Sequence, residues 1–412
     1  MIAAIANGDS RLTNYSTSAD CAATLSCLER LGVRIERKDN EVIIHGAGPD
    51  GLRAPDNDLD CGNSGTTMRL LSGILAGQNF ASMLTGDDSL RSRPMQRIIE
   101  PLEMMGAEVA SVNGRAPLRI QGRRRLRAID YELLTASAQV KSCILFAGLQ
   151  AEGKTTVIEN ETTRDHTERM LRWFGAAIET GVPDREPQTA RFAAVAGPAQ
   201  FSARDVSVPG DISSAAYFLA AAALLADSLL EIVDVGLNPT RVGFLEKLRA
   251  IGIEIGVTNE HESCAEPRGN LSVRGKPITR AEAPMLTVNG TIIPQLIDEL
   301  PLLAVVGSQM PGGIEIRDAK ELRVKESDRI ASTIEGLQAM GCEVDEFDDG
   351  LRVSGPIKLR GARIDSHGDH RIAMSFAIAG LVAQGNTEIV GSDCVAISYP
   401  GFFEMLDSIA QR

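Results

Sequence analysis

Cys61-Gly-Asn-Ser-Gly-Thr-Thr-Met-Arg-Leu-Leu-Ser-Gly-Ile-Leu-Ala-Gly77 is the stretch from which the fold can be read. Small polar residues open it, an apolar run follows, and a glycine closes it. Ser, Thr and Asn ahead of an apolar run are N-cap chemistry, because their side-chain oxygens accept from the free N–H groups of a helix's first turn. The glycine supplies the left-handed residue at which many helices end. Beyond it, Ser82–Thr85 reads as a strand, a second helix starts at Pro94, and Met105-Gly106-Ala107 leads into another strand.

That order recurs before and after this stretch at intervals of ~70 residues, the signature of an internally repeated architecture. The first copy has Ala-Asn-Gly8, a strand at Arg11–Thr13, a helix from Ser18, and Leu31-Gly32-Val33. The third has Ala151-Glu-Gly153, Thr155–Ile158, a helix from His166, and Phe174-Gly175-Ala176. The fourth has Leu225-Ala-Asp227, Leu229–Val233, a helix from Pro239, and Ile251-Gly252-Ile253. The fifth has Pro311-Gly312-Gly313, Ile314–Ile316, a helix from Ser327, and Met340-Gly341-Cys342. The sixth has Ala383-Gln-Gly385, Thr387–Val390 and a helix from Pro400. The interval Val182–Val208 is rich in Pro, Gly and Ala and is expected to hold a strand or two. A domain boundary near residue 207 leaves three copies on each side, in domains 1–207 and 208–412.

The polar openings also recur, as Thr135-Ala-Ser-Ala-Gln139, Pro209-Gly-Asp-Ile-Ser-Ser214, Asn289-Gly-Thr291 and Ser366-His-Gly-Asp-His-Arg371. Several helix N-termini facing one cleft would make an anion site. The first copy has no such opening, and Met1 falls inside its apolar helix. By analogy, a strand and a capping turn are expected upstream.

Composition narrows the class of function. Two domains suit 412 residues, and 43% hydrophobic with 24% charged residues is ordinary for a globular protein. A net charge of −13 argues against nucleic acid or acidic membrane as partner, and 4% aromatic residues argue against a base-stacking platform. The 7 cysteines are odd in number and lack CxxC spacing, so reduced thiols in the cytoplasm are expected rather than disulfides or zinc. The longest apolar runs, such as Ala215–Ala226, are too short to span a bilayer, and no basic region precedes the start as in a signal peptide.

Charged residues gather at the strand-to-helix junctions. Lys325-Glu326-Ser327-Asp328-Arg329 reads either as a solvated helix start or as a site. Arg371 adjoins an apolar helix, where a guanidinium is costly unless it is paired or holds an anion. Arg91 and Arg93 stand on a loop before a Pro-started helix, and the planar fork of arginine suits phosphate and carboxylate. Asp298 and Glu299 interrupt an apolar segment, so one carboxylate is expected at a core edge, as a general base or a cap. His367 and His370 have no third ligand nearby, so no metal is expected. No dinucleotide fingerprint followed by the needed acidic residue is present, and Gly-x-Ser-x-Gly is absent from the sequence. These residues point to an enzyme or binder of small anions, and alone they leave the reaction open.

At these motifs the chain resembles the EPSP synthase family. The matches are Gly62-Asn-Ser-Gly-Thr-Thr-Met-Arg69, Arg93-Pro-Met95, Ser137-Ala-Gln139, Thr163-Arg-Asp-His-Thr167, Asp211-Ile-Ser-Ser-Ala-Ala-Tyr-Phe218, Ile297-Asp-Glu299, Arg323-Val-Lys-Glu-Ser-Asp-Arg329 and Gly368-Asp-His-Arg371. The resemblance implies an α/β (α+β) fold, a two-domain inside-out α/β barrel of the enolpyruvyl transferase type. It would hold six βαβαββ repeats, three per domain, with the active site in the interdomain cleft. The implied reaction moves the enolpyruvyl group of phosphoenolpyruvate to the 5-hydroxyl of shikimate 3-phosphate, a step toward chorismate and the aromatic amino acids. No cofactor is implied, and the implied state is a monomer.

By the same resemblance Ser137, Ala138, Gln139, Arg164, Asp298 and Lys325 would bind shikimate 3-phosphate. Gly65, Arg93, Gln139, Arg329 and Arg371 would bind phosphoenolpyruvate. Asp298 would take the proton of the attacking hydroxyl, and Glu326 would serve as acid and base at the methylene carbon. The latter roles call for a carboxyl whose pKa is raised by burial. Gly65 leaves space beside phosphoenolpyruvate, which implies sensitivity to glyphosate in a full-length form.

Two departures stand out. The family's Pro-Gly-x-Lys-Ser-x-Ser-x-x-Arg segment would lie before Met1, so impaired turnover by the 412-residue form is expected. Ile397 stands where some members carry a lysine, which marks a subclass. Two alternatives stand beside this reading, UDP-N-acetylglucosamine enolpyruvyl transferase and a vestigial, non-catalytic anion binder. The first usually has a cysteine in the loop that here reads Gly86-Asp-Asp-Ser-Leu90.

Overall fold

The computed structural model describes residues 1–412 apart from 185, 186, 188, 276–284, 411 and 412. Three of the omitted residues fall in the interval Val182–Val208, so the expectation for that interval lies partly outside the described residues. The chain divides into two compact units, Met1–Val208 with Ser263–Glu266, and Pro209–Glu262 with Pro267–Arg412.

The first unit packs around helices α1 (Ile2–Ile5), α2 (Gly65–Ala76) and α3 (Ala138–Gly148). The second packs around α4 (Ile212–Leu224), α5 (Leu300–Ser308) and α6 (His370–Val382). These helices are apolar on nearly every side because they are covered on nearly every side. All nine residues of α5 are buried, as are eleven of α4. The outer helices, such as Gln96–Met104 and His166–Trp173, keep one polar face toward solvent.

A small sheet accompanies each copy. In the second copy its order is Leu59–Asp60, Ala81–Thr85, Arg115–Gln121, Glu108–Val112, with the first pair parallel and the others antiparallel. The fifth copy repeats this pattern with Leu286–Val288, Ile314–Ile316, Gly350–Val353 and Val344–Phe347. Among the described residues the sixth copy has only the parallel pair Arg363–Asp365 and Glu388–Val390, without the hairpin. One strand is exchanged between copies. Val206–Ser207, just ahead of the fourth copy, pairs in parallel with Asn7–Thr13 of the first, setting Leu12 opposite Val206.

Side chains fix the helix starts as the polar openings imply. Ser64, Ser137, Asp211 and Asp369 accept from backbone N–H groups at the starts of α2, α3, α4 and α6. The fifth opening differs, since Gly290–Ile292 and Ile293–Leu296 form a short helical segment set at 107° to α5. Other boundaries also move. The helix expected from Pro94 starts at Gln96, after a short helix Asp88–Ser92, and the one expected from Pro239 starts at Gly243. Gly77 is not left-handed, with φ −87°. There a Cβ would lie 2.4 Å from the Gln150 carboxamide, so packing and not backbone conformation calls for glycine.

Close packing of α2 on α3 is decided at Gly73, where a Cβ would stand 2.1 Å from the Cys143 carbonyl oxygen. Gly73→Ala is expected to force the helices apart and destabilise the first unit by about 1–3 kcal/mol. Equilibrium urea unfolding followed by circular dichroism measures the shift.

Candidate active site

In the first unit, side chains converge on the N-terminus of α2. Ser64 caps this helix by accepting from Thr67 N at 3.1 Å. Gly65 is its first residue, and Arg69 lies one turn further in. The Arg69 guanidinium donates to Gln139 Oε1 at 2.5 Å and to the Pro94 carbonyl at 3.4 Å. Gln139 in turn donates to Thr66 Oγ1 at 2.8 Å, so the starts of α2 and α3 are laced together. Arg93, only 5% exposed, donates to Asn63 Oδ1 at 2.6 Å and Ser89 Oγ at 3.2 Å. A Cβ on Gly65 would stand 2.9 Å from Arg69 Nη1 and 3.3 Å from Arg93 Nη1. Both guanidiniums therefore border the backbone of a helix's first turn, an arrangement suited to a small anion. Ser137 caps α3 by accepting from Val140 N, and Ser137, Ala138 and Gln139 are partly exposed. Arg164 stands in the loop 160–165, between the strand Ala151–Glu159 and the helix His166–Trp173.

In the second unit the centre is Arg329, 1% exposed at the start of the helix Arg329–Ala339. Its Nε donates to Asp369 Oδ2 at 2.8 Å, Nη1 to Asp298 Oδ1 at 3.2 Å, and Nη2 to Glu326 Oε2 at 2.5 Å. Desolvation disfavours this cation, yet the charges of Asp369, Glu326 and Asp298 outweigh it and raise the Arg329 pKa further. Asp298 reaches the cluster because it lies at the bend before α5. Its neighbour Glu299 accepts from Ser213 Oγ. Asp369 is fully buried, caps α6 by accepting from Arg371 N at 2.8 Å, and accepts from Ser327 Oγ at 3.1 Å. The Arg371 cation is held despite desolvation by Tyr217, Asp298, Glu299 and Asp211, which raise its pKa. Lys325 is partly exposed and directly precedes Glu326. No group of three or more His, Cys, Asp or Glu side chains among the described residues is arranged to hold a metal ion.

The result is two clusters with different balances of charge. In the first, cations border the start of a helix. In the second, two carboxylates with partly exposed side chains, Asp298 and Glu326, are oriented by one buried guanidinium. A family model described as EPSP synthase (3-phosphoshikimate 1-carboxyvinyltransferase) matches residues 1–406. The chain belongs to the EPSP synthase family. A relative from Koribacter versatilis, named 3-phosphoshikimate 1-carboxyvinyltransferase, is 50% identical over 412 residues, covering 100% of this chain and 93% of the relative. One of the same name from Salinibacter ruber is 47% identical over 415 residues, at the same coverage. An EPSP synthase structure from Acinetobacter baumannii superposes with a TM-score of 0.84 at 41% identity, covering 99% of this chain and 91% of that one. The two-domain inside-out α/β fold of the EPSP synthase family is thus the fold of this chain.

Within the first unit, the geometry brings Gly65, Arg93 and Gln139 together, beside Ser137 and Ala138. Within the second it gathers Asp298, Glu326, Arg329 and Arg371. Arg91, read from sequence as a companion of Arg93, instead lies in a short helix, exposed and paired with Asp88 at 2.5 Å. Two residues emerge to which the sequence assigned no role in a site. Arg69 closes the Gly62–Arg69 motif, and its contact with Gln139 spans 70 residues. Asp369, legible only as a neighbour of Arg371, anchors Arg329.

His370 is 6% exposed, and burial, reinforced by the Arg371 charge, lowers its pKa from 6.5 to about 4. An unfolded chain takes up this proton near pH 6.5 and the folded one only near pH 4, so stability falls as pH drops through that window. The cost is about 2 kcal/mol at pH 4.5. Urea unfolding at pH 7 and 4.5 is expected to show a smaller acid loss for His370→Gln than for the wild type.

Proposed function

We propose that this chain transfers the enolpyruvyl group of phosphoenolpyruvate to the 5-hydroxyl of shikimate 3-phosphate, giving 5-enolpyruvylshikimate 3-phosphate and phosphate. The observation that carries the chemistry is the placement of Asp298 and Glu326 on one buried guanidinium, Arg329. Two carboxylates so held supply a base for the hydroxyl and an acid and base for carbon.

During addition, Asp298 takes the hydroxyl proton while the oxygen bonds to C2 of phosphoenolpyruvate, and Glu326 delivers a proton to C3. During elimination, the C2–O bond to phosphate breaks and a proton returns from C3 to Glu326. Gly65, Arg93, Gln139, Arg329 and Arg371 hold phosphoenolpyruvate in this reading. Ser137, Ala138, Gln139, Arg164, Asp298 and Lys325 hold shikimate 3-phosphate. Both substrates are multiply charged anions, so cations must offset their repulsion before bond formation. We take 1–207 and 208–412 as the two domains and place the protein in the cytoplasm as a monomer. Seven cysteines outside disulfides fit a reducing compartment.

The test is phosphate release by the purified chain with phosphoenolpyruvate and either shikimate 3-phosphate or UDP-N-acetylglucosamine. Impaired turnover is expected, with the first acceptor only, and turnover confined to the second would overturn the reading. Asp298→Asn and Glu326→Gln are expected to lower kcat by on the order of 10²–10⁴-fold, the usual worth of a positioned acid or base. Gly65→Ala is expected to displace the Arg69 and Arg93 guanidiniums and raise the KM for phosphoenolpyruvate roughly tenfold, a loss of ~1.4 kcal/mol. Initial-rate kinetics separate the two effects.

A further inference from the structure

Lys141 lies in the first turn of α3, one residue beyond Val140, and is 1% exposed. Its ammonium stands 3.1 Å from Glu159 Oε1 and 2.7 Å from Glu168 Oε1. Both carboxylates are also buried, at 4% exposure each. Glu159 is the last residue of the strand Ala151–Glu159, and Glu168 belongs to the helix His166–Trp173. Between them runs the loop 160–165 that carries Arg164. Thr163 ties this loop down by donating to Glu159 Oε2 at 2.6 Å. The hydroxyls of Ser142 and Thr167, 2.7 Å apart, add a further tie between α3 and the far side of the loop. One ammonium on α3 thus grips both ends of the loop.

Such a cluster is a poor device for stability alone, because buried ions lose hydration that their pairing barely restores. What it enforces is geometry. An ammonium and two carboxylates are satisfied together only in a narrow set of arrangements. The cluster even carries an excess of negative charge, and burial pushes the Glu159 carboxyl above its usual range, despite Lys141 and Thr163. Glu168 Oε2 is buried without a hydrogen-bond partner among the described residues. Lys141 is fully committed to these carboxylates and offers no exposed charge to a ligand.

We infer that Lys141 is a positioning residue for shikimate 3-phosphate. It fixes the loop 160–165 against α3, and so sets Arg164 relative to Ser137, Ala138 and Gln139 at the start of that helix. The inference rests on the proposed function, which assigns those four residues to this substrate.

Calorimetric titration of shikimate 3-phosphate into the full chain tests it, with circular dichroism as a check on folding. Lys141→Met is expected to raise Kd about tenfold, at the low end of what orienting partners cost elsewhere, and Lys141→Arg to restore most of it. Thr163→Val keeps the Lys141–carboxylate contacts and cuts the loop's tie to Glu159, and is expected to raise Kd about fivefold. In steady-state kinetics the KM for shikimate 3-phosphate is expected to rise while that for phosphoenolpyruvate stays within about twofold. Where Lys141→Met does not fold, Thr163→Val decides. Wild-type affinity in folded Thr163→Val and Lys141→Met, or an equal rise in both KM values, overturns the inference. A wild type that binds no shikimate 3-phosphate overturns the functional reading instead.

Discussion

A guanidinium buried among three carboxylates is the constraint on which the second unit's chemistry depends. Burying the Arg329 cation to 1% exposure would be costly without Asp298, Glu326 and Asp369, and each carboxylate is oriented by the same cation. The three come from the bend before α5, the turn before the helix Arg329–Ala339, and the cap of α6. Apolar replacements of similar size often match such a cluster in stability. They would not aim two partly exposed carboxylate side chains, which is what acid–base work at neighbouring atoms requires.

The first unit solves a different problem with the same parts. There a central helix also starts from a capped polar turn, but cations border it. Arg69 and Arg93 approach the start of α2 closely because Gly65 lacks a side chain. The repeated scaffold thus offers equivalent helix starts, and a few substitutions make one cationic and another carboxylate-rich. This follows from the general rule that chemistry is set by residues placed on a fold, not by the fold.

Much of this was legible in the sequence because it is local. Ser64, Ser137 and Asp211 announce their helices, and Gly32, Gly106, Gly175, Gly252 and Gly341 all take the positive φ that the pattern of helix ends implies. What escaped is set by distant partners. The bend that delivers Asp298, the anchoring of Arg329 by a residue 40 positions away, and the contact of Arg69 with Gln139 have no local signature. Gly77 misled for the same reason, since its need for a small residue comes from Gln150 and not from its own backbone. Arg91 and Arg93 look alike in sequence, and only tertiary packing makes one a solvated surface charge and the other a buried donor.

The pairing of Val206–Ser207 with Asn7–Thr13 has a consequence for how the first unit comes into being. Arg11 N bonds to Asp205 across 194 residues, so this strand waits for a partner segment synthesised long after it. Until then one of its edges stays open to mispairing, and closing so long a loop is slow. The sheet of the first copy is therefore completed only after synthesis has passed residue 207, and not as that copy emerges.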